Sequence, residues 1–174
     1  MKSLFVLILM CGVMCGAAAA AELETHFVDL DGDGGTETIT VHQVYGTFTD
    51  APPYAKEGIV TVYDPDTEKA HTFSMAEHMG KVEFVSLNKD AAHQIVAWSQ
   101  SGMHYTNLAV YGYKDDELYK IFETGSGCGI ETDFQSNPPT IKIGVPKFDE
   151  EGWSYADEPA WEIYTWNGKT FVNE

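Results

Sequence analysis

The chain has 174 residues and is strongly acidic, with 27 Asp and Glu against 10 Lys and Arg and a formal net charge of −17 at pH 7. All ten cationic residues are lysines. A surface of this sign is repelled by nucleic-acid phosphates and by anionic lipid head groups, so we exclude both as partners. The aromatic content of 13% is too high for a disordered chain.

The N-terminus has the composition of a secretory signal. Lys2 is followed by an apolar run at 4–14 and by small residues at 17–21. This order predicts a cleaved signal peptide over residues 1–21, with the exported domain at 22–174. We therefore expect a periplasmic or extracellular protein that does not insert into the membrane after cleavage.

The cysteines support export without a lipid anchor. Cys11 and Cys15 lie in the predicted signal, and each follows a methionine where a lipoprotein signal usually has a small residue. Cys128 is then the single cysteine of the exported domain, so no internal disulfide is expected. Its "GSGCG" context carries no signature of a nucleophile, and we interpret it as an unreactive thiol.

Period-two hydrophobic patterning predicts strands through most of the exported domain. Three segments each contain two alternating runs around a polar turn, and each is predicted to be a β-hairpin: 57–73, 105–122 and 160–172. In the third, Asn167-Gly168 is the strongest sequence signal for a two-residue hairpin. The single predicted helix is one or two turns at 73–81.

A further strand pair precedes each hairpin, and the pairs resemble one another. Residues 27–41 align with 84–98 at an offset of 57, and 130–145 is a more decayed copy. We predict one all-β domain of three repeated units, each with about four antiparallel strands and similar to a propeller blade. Because ordinary propellers have roughly four to eight blades, three units imply a compact body or a partial propeller.

The first strand pair encloses an acidic loop, "DLDGDGGTE", at 29–37. Oxygen ligands at Asp29, Asp31 and Asp33, followed by glycine, form the opening of a calcium loop. It is not an EF-hand, because Thr40 stands where that loop has its bidentate glutamate.

The stretch "VDLDGDGGTETITV" resembles the FG-GAP/VCBS-type repeats of secreted proteins and of integrin-α-like propellers. The resemblance implies one structural calcium ion, with ligands from Asp29, Asp31, Asp33, Glu37 and the Gly35 carbonyl. Glutamate at the last side-chain position departs from the aspartate that is more usual there. The alternative is a solvated acidic turn with no ion.

The later copies do not retain this ligand set. In the second copy the equivalent positions are Ser86, Asn88, Asp90, Ala91 and Gln94, so a single carboxylate remains. The third copy has none of the set. We therefore expect one calcium site.

An acidic and aromatic segment at 148–161 permits a different function. It combines Asp149, Glu150, Glu151, Asp157 and Glu158 with Trp153, Tyr155 and Trp161. Carboxylates beside aromatic rings are used in glycoside hydrolysis. The leading hypothesis is nevertheless a non-catalytic domain that binds a protein or glycan partner, with no catalytic residues. A glycan hydrolase and a subunit that completes its sheet with another chain remain the alternatives.

Overall fold

A computed structural model of the protein describes residues 21–46, 54–75, 78–101, 105–148 and 159–173. Residues 1–20 of the predicted signal peptide, and the acidic residues from Asp149 to Glu158, lie outside this part of the chain. Every regular element within it is a β-strand, which confirms the all-β prediction.

Twelve strands form three four-stranded antiparallel sheets. The first sheet contains β1 (Ala21–Val28), β2 (Glu37–Gly46), β3 (Tyr54–Asp64) and β4 (Lys69–Met75). The second contains β5 (His78–Val85), β6 (Gln94–Ser101), β7 (Tyr105–Lys114) and β8 (Glu117–Ser126). The third contains β9 (Ile130–Asp133), β10 (Thr140–Val145), β11 (Ala160–Trp166) and β12 (Phe171–Asn173). Each sheet is a meander, with neighbouring strands consecutive in the chain.

The three predicted hairpins are confirmed, but two local predictions are wrong. The segment predicted as a helix at 73–81 contains the end of β4 and the start of β5. The last hairpin pairs Trp166 with Phe171, so its loop has four residues instead of two. Asn167 shapes this loop, because its Oδ1 accepts hydrogen bonds from the N–H groups of Lys169 and Thr170, both at 3.0 Å.

The second sheet lies between the other two. Its Ile95, Ala97, Tyr111 and Tyr113 belong to a core cluster shared with the first sheet. Its Val96, Leu108 and Val110 belong to a cluster shared with the third sheet. Neighbouring strand positions point to opposite faces, so both faces of the second sheet are covered.

The opposite face of the first sheet takes no part in either cluster. Three of its rungs span all four strands: Leu23-His42-Ile59-Ser74, Thr25-Thr40-Thr61-Thr72 and Phe27-Thr38-Tyr63-Ala70. We call these twelve residues the outer face of the first sheet. These twelve residues include no Asp, Glu or Lys, although 21% of the whole chain is charged. The next rung of the register, Ala21-Val44-Glu57, adds one glutamate.

Among the described residues, no helix is long and apolar enough to span a lipid bilayer.

Candidate metal centre

The loop from β1 to β2 folds around the carboxylate of Asp29. Its two oxygens accept hydrogen bonds from the N–H groups of Gly32, at 2.6 Å, and Gly34, at 3.1 Å. Both glycines have positive φ, 84° and 92°, a conformation that side chains rarely permit. The glycines therefore allow the backbone to wrap around the first aspartate.

Asp31 and Asp33 extend the same pattern. Asp31 Oδ1 accepts from the Asp33 N–H at 3.1 Å, and Asp33 Oδ1 accepts from the Gly35 N–H at 2.6 Å. Both side chains are exposed. These short-range hydrogen bonds hold the acidic side chains beside the loop backbone while leaving oxygen lone pairs available.

Glu37 is the first residue of β2, and its side chain points inward. The residue is 3% exposed, and its Oε2 accepts a hydrogen bond of 2.6 Å from the N–H of Leu30. Leu30 is itself in the core cluster between the first two sheets. The carboxylate of Glu37 thus connects the loop, through Leu30, to the core.

Three of the carboxylates converge. One oxygen each from Asp29, Asp31 and Glu37 lies within 4.8 Å of the others. Calcium–oxygen distances are 2.3–2.6 Å, so oxygens on the same ion lie at most about 5 Å apart. The three oxygens are therefore close enough to share one ion. The chemistry of the donor set, hard and anionic, is also that of a calcium site.

The β3–β4 turn brings two more carboxylates to the loop. Asp64 is 5% exposed and accepts from the N–H of Asp66 at 2.8 Å, from the Thr67 hydroxyl at 2.8 Å and from the Tyr113 hydroxyl at 3.2 Å. A Cβ placed on Gly35 would lie 3.3 Å from Asp66 Oδ2 and 2.9 Å from Asp33 Oδ1. The carboxylates of Asp33 and Asp66 therefore flank the backbone of Gly35.

This crowding changes the pKa of several groups. Desolvation raises the pKa of Glu37, and the charges of Asp31 and Asp64 raise it further. Desolvation also raises the pKa of Asp31, together with the charges of Asp33, Asp29 and Asp64. Asp64 behaves differently: burial disfavours its ionised form, but its hydrogen bonds outweigh burial, and its pKa is lowered.

The five predicted ligands are thus not equivalent. Asp29, Asp31 and Glu37 converge, whereas Asp33 lies outside that group and flanks Gly35 with Asp66. Gly35 is half-buried in the same loop. Sequence reasoning missed Asp64 and Asp66. The available signal was strand register, since Thr38 pairs with Tyr63 and the neighbouring Glu37 and Asp64 then meet at one end of β2 and β3.

The second loop, which joins β5 to β6, has the same frame but a single carboxylate, Asp90, at the equivalent positions. The Leu87 N–H donates to Gln94 Oε1 at 2.9 Å, seven residues away, as Leu30 does to Glu37. Ser86 Oγ donates to the Asp90 carbonyl at 2.8 Å. Asn88 Oδ1 accepts from the indole N–H of Trp166 at 2.9 Å. Neutral groups therefore occupy the positions equivalent to Asp29, Asp31 and Glu37, and each has a hydrogen-bond partner.

The third loop, which joins β9 to β10, begins with an aspartate, Asp133, which was not recognised as an equivalent of Asp29 in the sequence. Asp133 Oδ1 accepts from the N–H groups of Gln135 at 3.1 Å and Ser136 at 2.9 Å, which closes the turn. Phe134 and Ile141 pack in the core cluster between the second and third sheets. This loop therefore has a structural frame and no cluster of acidic side chains.

The other candidate residues do not form a second centre within the described ranges. Cys128 is free and half-buried. The His26 ring packs on Phe84 with centroids 5.1 Å apart, and the His71 ring packs on Tyr113 with centroids 5.9 Å apart. The carboxylates proposed for glycan hydrolysis, from Asp149 to Glu158, lie outside the described residues.

Comparisons with protein-family models, with curated proteins and with solved structures find no match to this chain.

Proposed function

We propose that this protein is an exported, non-catalytic β-repeat domain of the FG-GAP/VCBS type that binds one structural calcium ion and a protein partner. The ion would be held by Asp29, Asp31 and Glu37, with Asp33 and the Gly35 carbonyl completing the set. The three sheets would correspond to three blade-like units in a partial propeller.

The contrast between the first two loops carries the calcium proposal. In both loops the N–H of a leucine donates to a side chain seven residues later in the chain. The acceptor is Glu37 in the first loop and the neutral Gln94 in the second. The frame therefore does not require a carboxylate at this position. Carboxylates that converge within 4.8 Å repel one another unless a cation lies between them. A divalent cation converts that repulsion into attraction.

A structural role for the ion follows from the surroundings of the loop. Leu30 lies between the ligands Asp29 and Asp31 in the chain, yet its side chain is 1% exposed in the core. An ion that fixes its two neighbours also fixes this core residue. Cys128 is a free thiol, so it gives the domain no disulfide to perform the same role.

The partial propeller is supported by the stacking of the sheets. Each sheet is a four-stranded meander, as propeller blades are, and the second sheet is covered on both faces by its neighbours. The first and third sheets each have one face outside the two core clusters.

The partner proposal rests on the outer face of the first sheet. Leu23 is 66% exposed, Phe27 69% and Tyr63 40%. The three rungs have no Asp, Glu or Lys, so another protein can approach this part of the acidic chain with little repulsion. Exposed Leu23, Phe27 and Tyr63 beside threonine hydroxyls form a mixed apolar and hydrogen-bonding surface, which is typical of protein interfaces.

The test of the calcium site is a thermal melt of the mature domain in EDTA, in millimolar magnesium and in millimolar calcium. An ion at 100 times its Kd adds about 2.7 kcal/mol to the free energy of unfolding. For a domain of this size we expect calcium to raise Tm by about 5 to 10 °C. Magnesium should have a smaller effect, because it prefers a smaller octahedral site and dehydrates reluctantly. Superimposable melts in EDTA and calcium would refute the calcium site.

A further inference from the structure

The acidic loop of the first sheet lies directly against the second loop. A Cβ on Gly32 would lie 3.3 Å from the Ala92 nitrogen and 3.4 Å from its Cβ. Glycine at position 32 thus permits the close approach of the two backbones. The calcium loop and the loop that has lost its ligands therefore form one contact between the first and second sheets.

His93, in the second loop, makes two hydrogen bonds to Asp29, the first proposed ligand. Its backbone N–H donates to the carbonyl of Asp29 at 3.1 Å, and its ring Nδ1 lies 3.1 Å from the same oxygen. A carbonyl oxygen can only accept, so Nδ1 carries a proton and donates. We call these two hydrogen bonds the inter-sheet anchor.

From this geometry we infer that His93 is a positioning residue of the calcium site, so that the ion bound by the first sheet also fastens that sheet to the second. The inference rests on the proposed calcium function. The carboxylate of Asp29 is fixed to its own loop by Gly32 and Gly34, whereas its carbonyl is fixed from outside by His93. Losing the ring donor would leave the first ligand less well ordered, at a cost in calcium affinity.

The coupling must act in both directions. If the anchor increases calcium affinity, then calcium strengthens the anchor by the same factor. The exchange of the His93 amide proton with solvent should therefore slow when calcium binds. The Leu87 amide is the internal reference, because its hydrogen bond to Gln94 lies wholly within the second loop.

The experiment is a calcium titration, by calorimetry, of the wild-type domain and of three variants. His93→Ala removes the ring donor and keeps the backbone N–H, and His93→Asn restores a side-chain N–H close to the position of Nδ1. A net hydrogen bond is worth about 0.5–1.5 kcal/mol, so His93→Ala should raise the calcium Kd by about two- to tenfold and His93→Asn by less. His71→Ala is the matched control, because His71 also contacts the second sheet, at Tyr113. It should lower Tm equally in EDTA and calcium and leave Kd unchanged.

The outcomes separate the two claims. Wild-type protein that binds no calcium overturns the proposed function and this inference with it. Wild-type protein that binds calcium, with unchanged Kd in His93→Ala and an equal loss of Tm in EDTA and calcium, overturns the inference alone. If His93→Ala does not fold, amide exchange in the wild-type protein decides: slower exchange at His93 in calcium supports the anchor, and unchanged exchange overturns it.

Discussion

At the scale of single residues, Glu37 and Gln94 form a natural pair of variants. Each side chain accepts a hydrogen bond from the N–H of a core leucine seven residues earlier, and each residue is buried. They differ in charge, and only Glu37 lies beside two other converging carboxylates. Comparing the two residues therefore separates the hydrogen bond that the hairpin requires from the negative charge that an ion would require.

Glu37→Gln should remove most of the calcium response while preserving the fold. The amide oxygen can still accept from Leu30, as Gln94 does from Leu87, so the hairpin frame remains. In EDTA the variant should be at least as stable as the wild type, because one of three mutually repelling charges is lost. Melts of both proteins in EDTA and calcium measure this. A full calcium-dependent rise of Tm in the variant would contradict the proposal that Glu37 is a ligand.

The raised pKa values of Glu37 and Asp31 predict a pH dependence whose sign depends on calcium. A carboxyl group with a raised pKa binds its proton more tightly in the folded state than in the unfolded state. In EDTA, the contribution of Glu37 to stability should therefore be fully present below its ordinary pKa of 4.5 and be lost as pH rises through its raised pKa. In calcium the slope should reverse, because protons then compete with the ion.

Denaturant unfolding between pH 4.5 and 7, with Glu37→Gln as the reference, measures both slopes. Asp64 has a lowered pKa and stays ionised in the folded state across this range, and its contribution is common to both proteins. Histidine contributions are common to both proteins and cancel in the difference. Parallel curves for the wild type and Glu37→Gln in EDTA would contradict the prediction.

The residues that sequence reasoning found at the site are those that local spacing brings together. Asp29 and Asp31 were predicted from alternation along one loop, and Glu37, within the same nine residues, from the resemblance to FG-GAP/VCBS-type repeats. Asp64 and Asp66 arrive through strand pairing, and His93 arrives through packing of one sheet on another. Such contacts depend on register and sheet stacking, which no single segment of the sequence specifies.

At the scale of elements, strand positions were predictable but turn types were not. Asn167-Gly168 has the composition of a two-residue turn, yet the loop extends over four residues around Asn167. The hairpin at 105–122 turns at Asp115-Asp116, where the sequence predicts its turn, and there the loop has two residues, between paired Lys114 and Glu117, with positive φ of 53° and 60°. Positive φ at both central positions defines the type I′ hairpin turn, and aspartate tolerates it. The strand register therefore sets the loop length in these hairpins, and the turn propensity of single residue pairs does not.

The β3–β4 turn depends on the buried carboxylate of Asp64. Asp64→Ala would leave the Tyr113 hydroxyl and the N–H groups of Asp66 and Thr67 without their acceptor. The Tyr113 hydroxyl is buried, and an unsatisfied buried donor costs about 1–3 kcal/mol; the two N–H groups are partly buried and cost less, so we expect a total loss of roughly 2–4 kcal/mol. Denaturant unfolding in EDTA measures this without a contribution from calcium. Asp64→Asn, which keeps one acceptor oxygen, should lose less, and equal stability of all three proteins would contradict the role of Asp64.

At the scale of the whole molecule, the three sheets differ in what covers them. The second sheet is apolar on both faces and is packed on both. On the first sheet, the face turned to the core is apolar, with Ile39, Val41, Val60 and Val62 fully buried. Its outer face is instead rich in threonine and is partly exposed. This pattern distinguishes an end sheet from a middle sheet, and it follows from alternation along each strand.

Alternation therefore predicted the number of strands and sheets, but not which sheet lies between the others. That order depends on residues such as Ile95 and Ala97, whose apolar character on the second face of β6 has no counterpart in Thr38 and Thr40 of β2. The difference is visible in the sequence once the two strands are aligned. It indicates which sheet is in the middle only when the packing partners are known.

The outer face of the first sheet gives the last prediction. Thr61 lies in its central rung, between Thr40 and Thr72. Thr61→Glu places a negative charge in an uncharged surface, where a docked partner would have to desolvate it, so binding should be lost while calcium-dependent stability is unchanged.

The matched control is Thr165→Glu on β11, paired with Thr140 in the third sheet. The measurement compares cross-linked complexes that the wild type and both variants form in the native exported fraction. A complex formed by the wild type and Thr165→Glu but not by Thr61→Glu supports this face, because both variants carry the same added charge. A complex that survives Thr61→Glu excludes the outer face of the first sheet as the partner site.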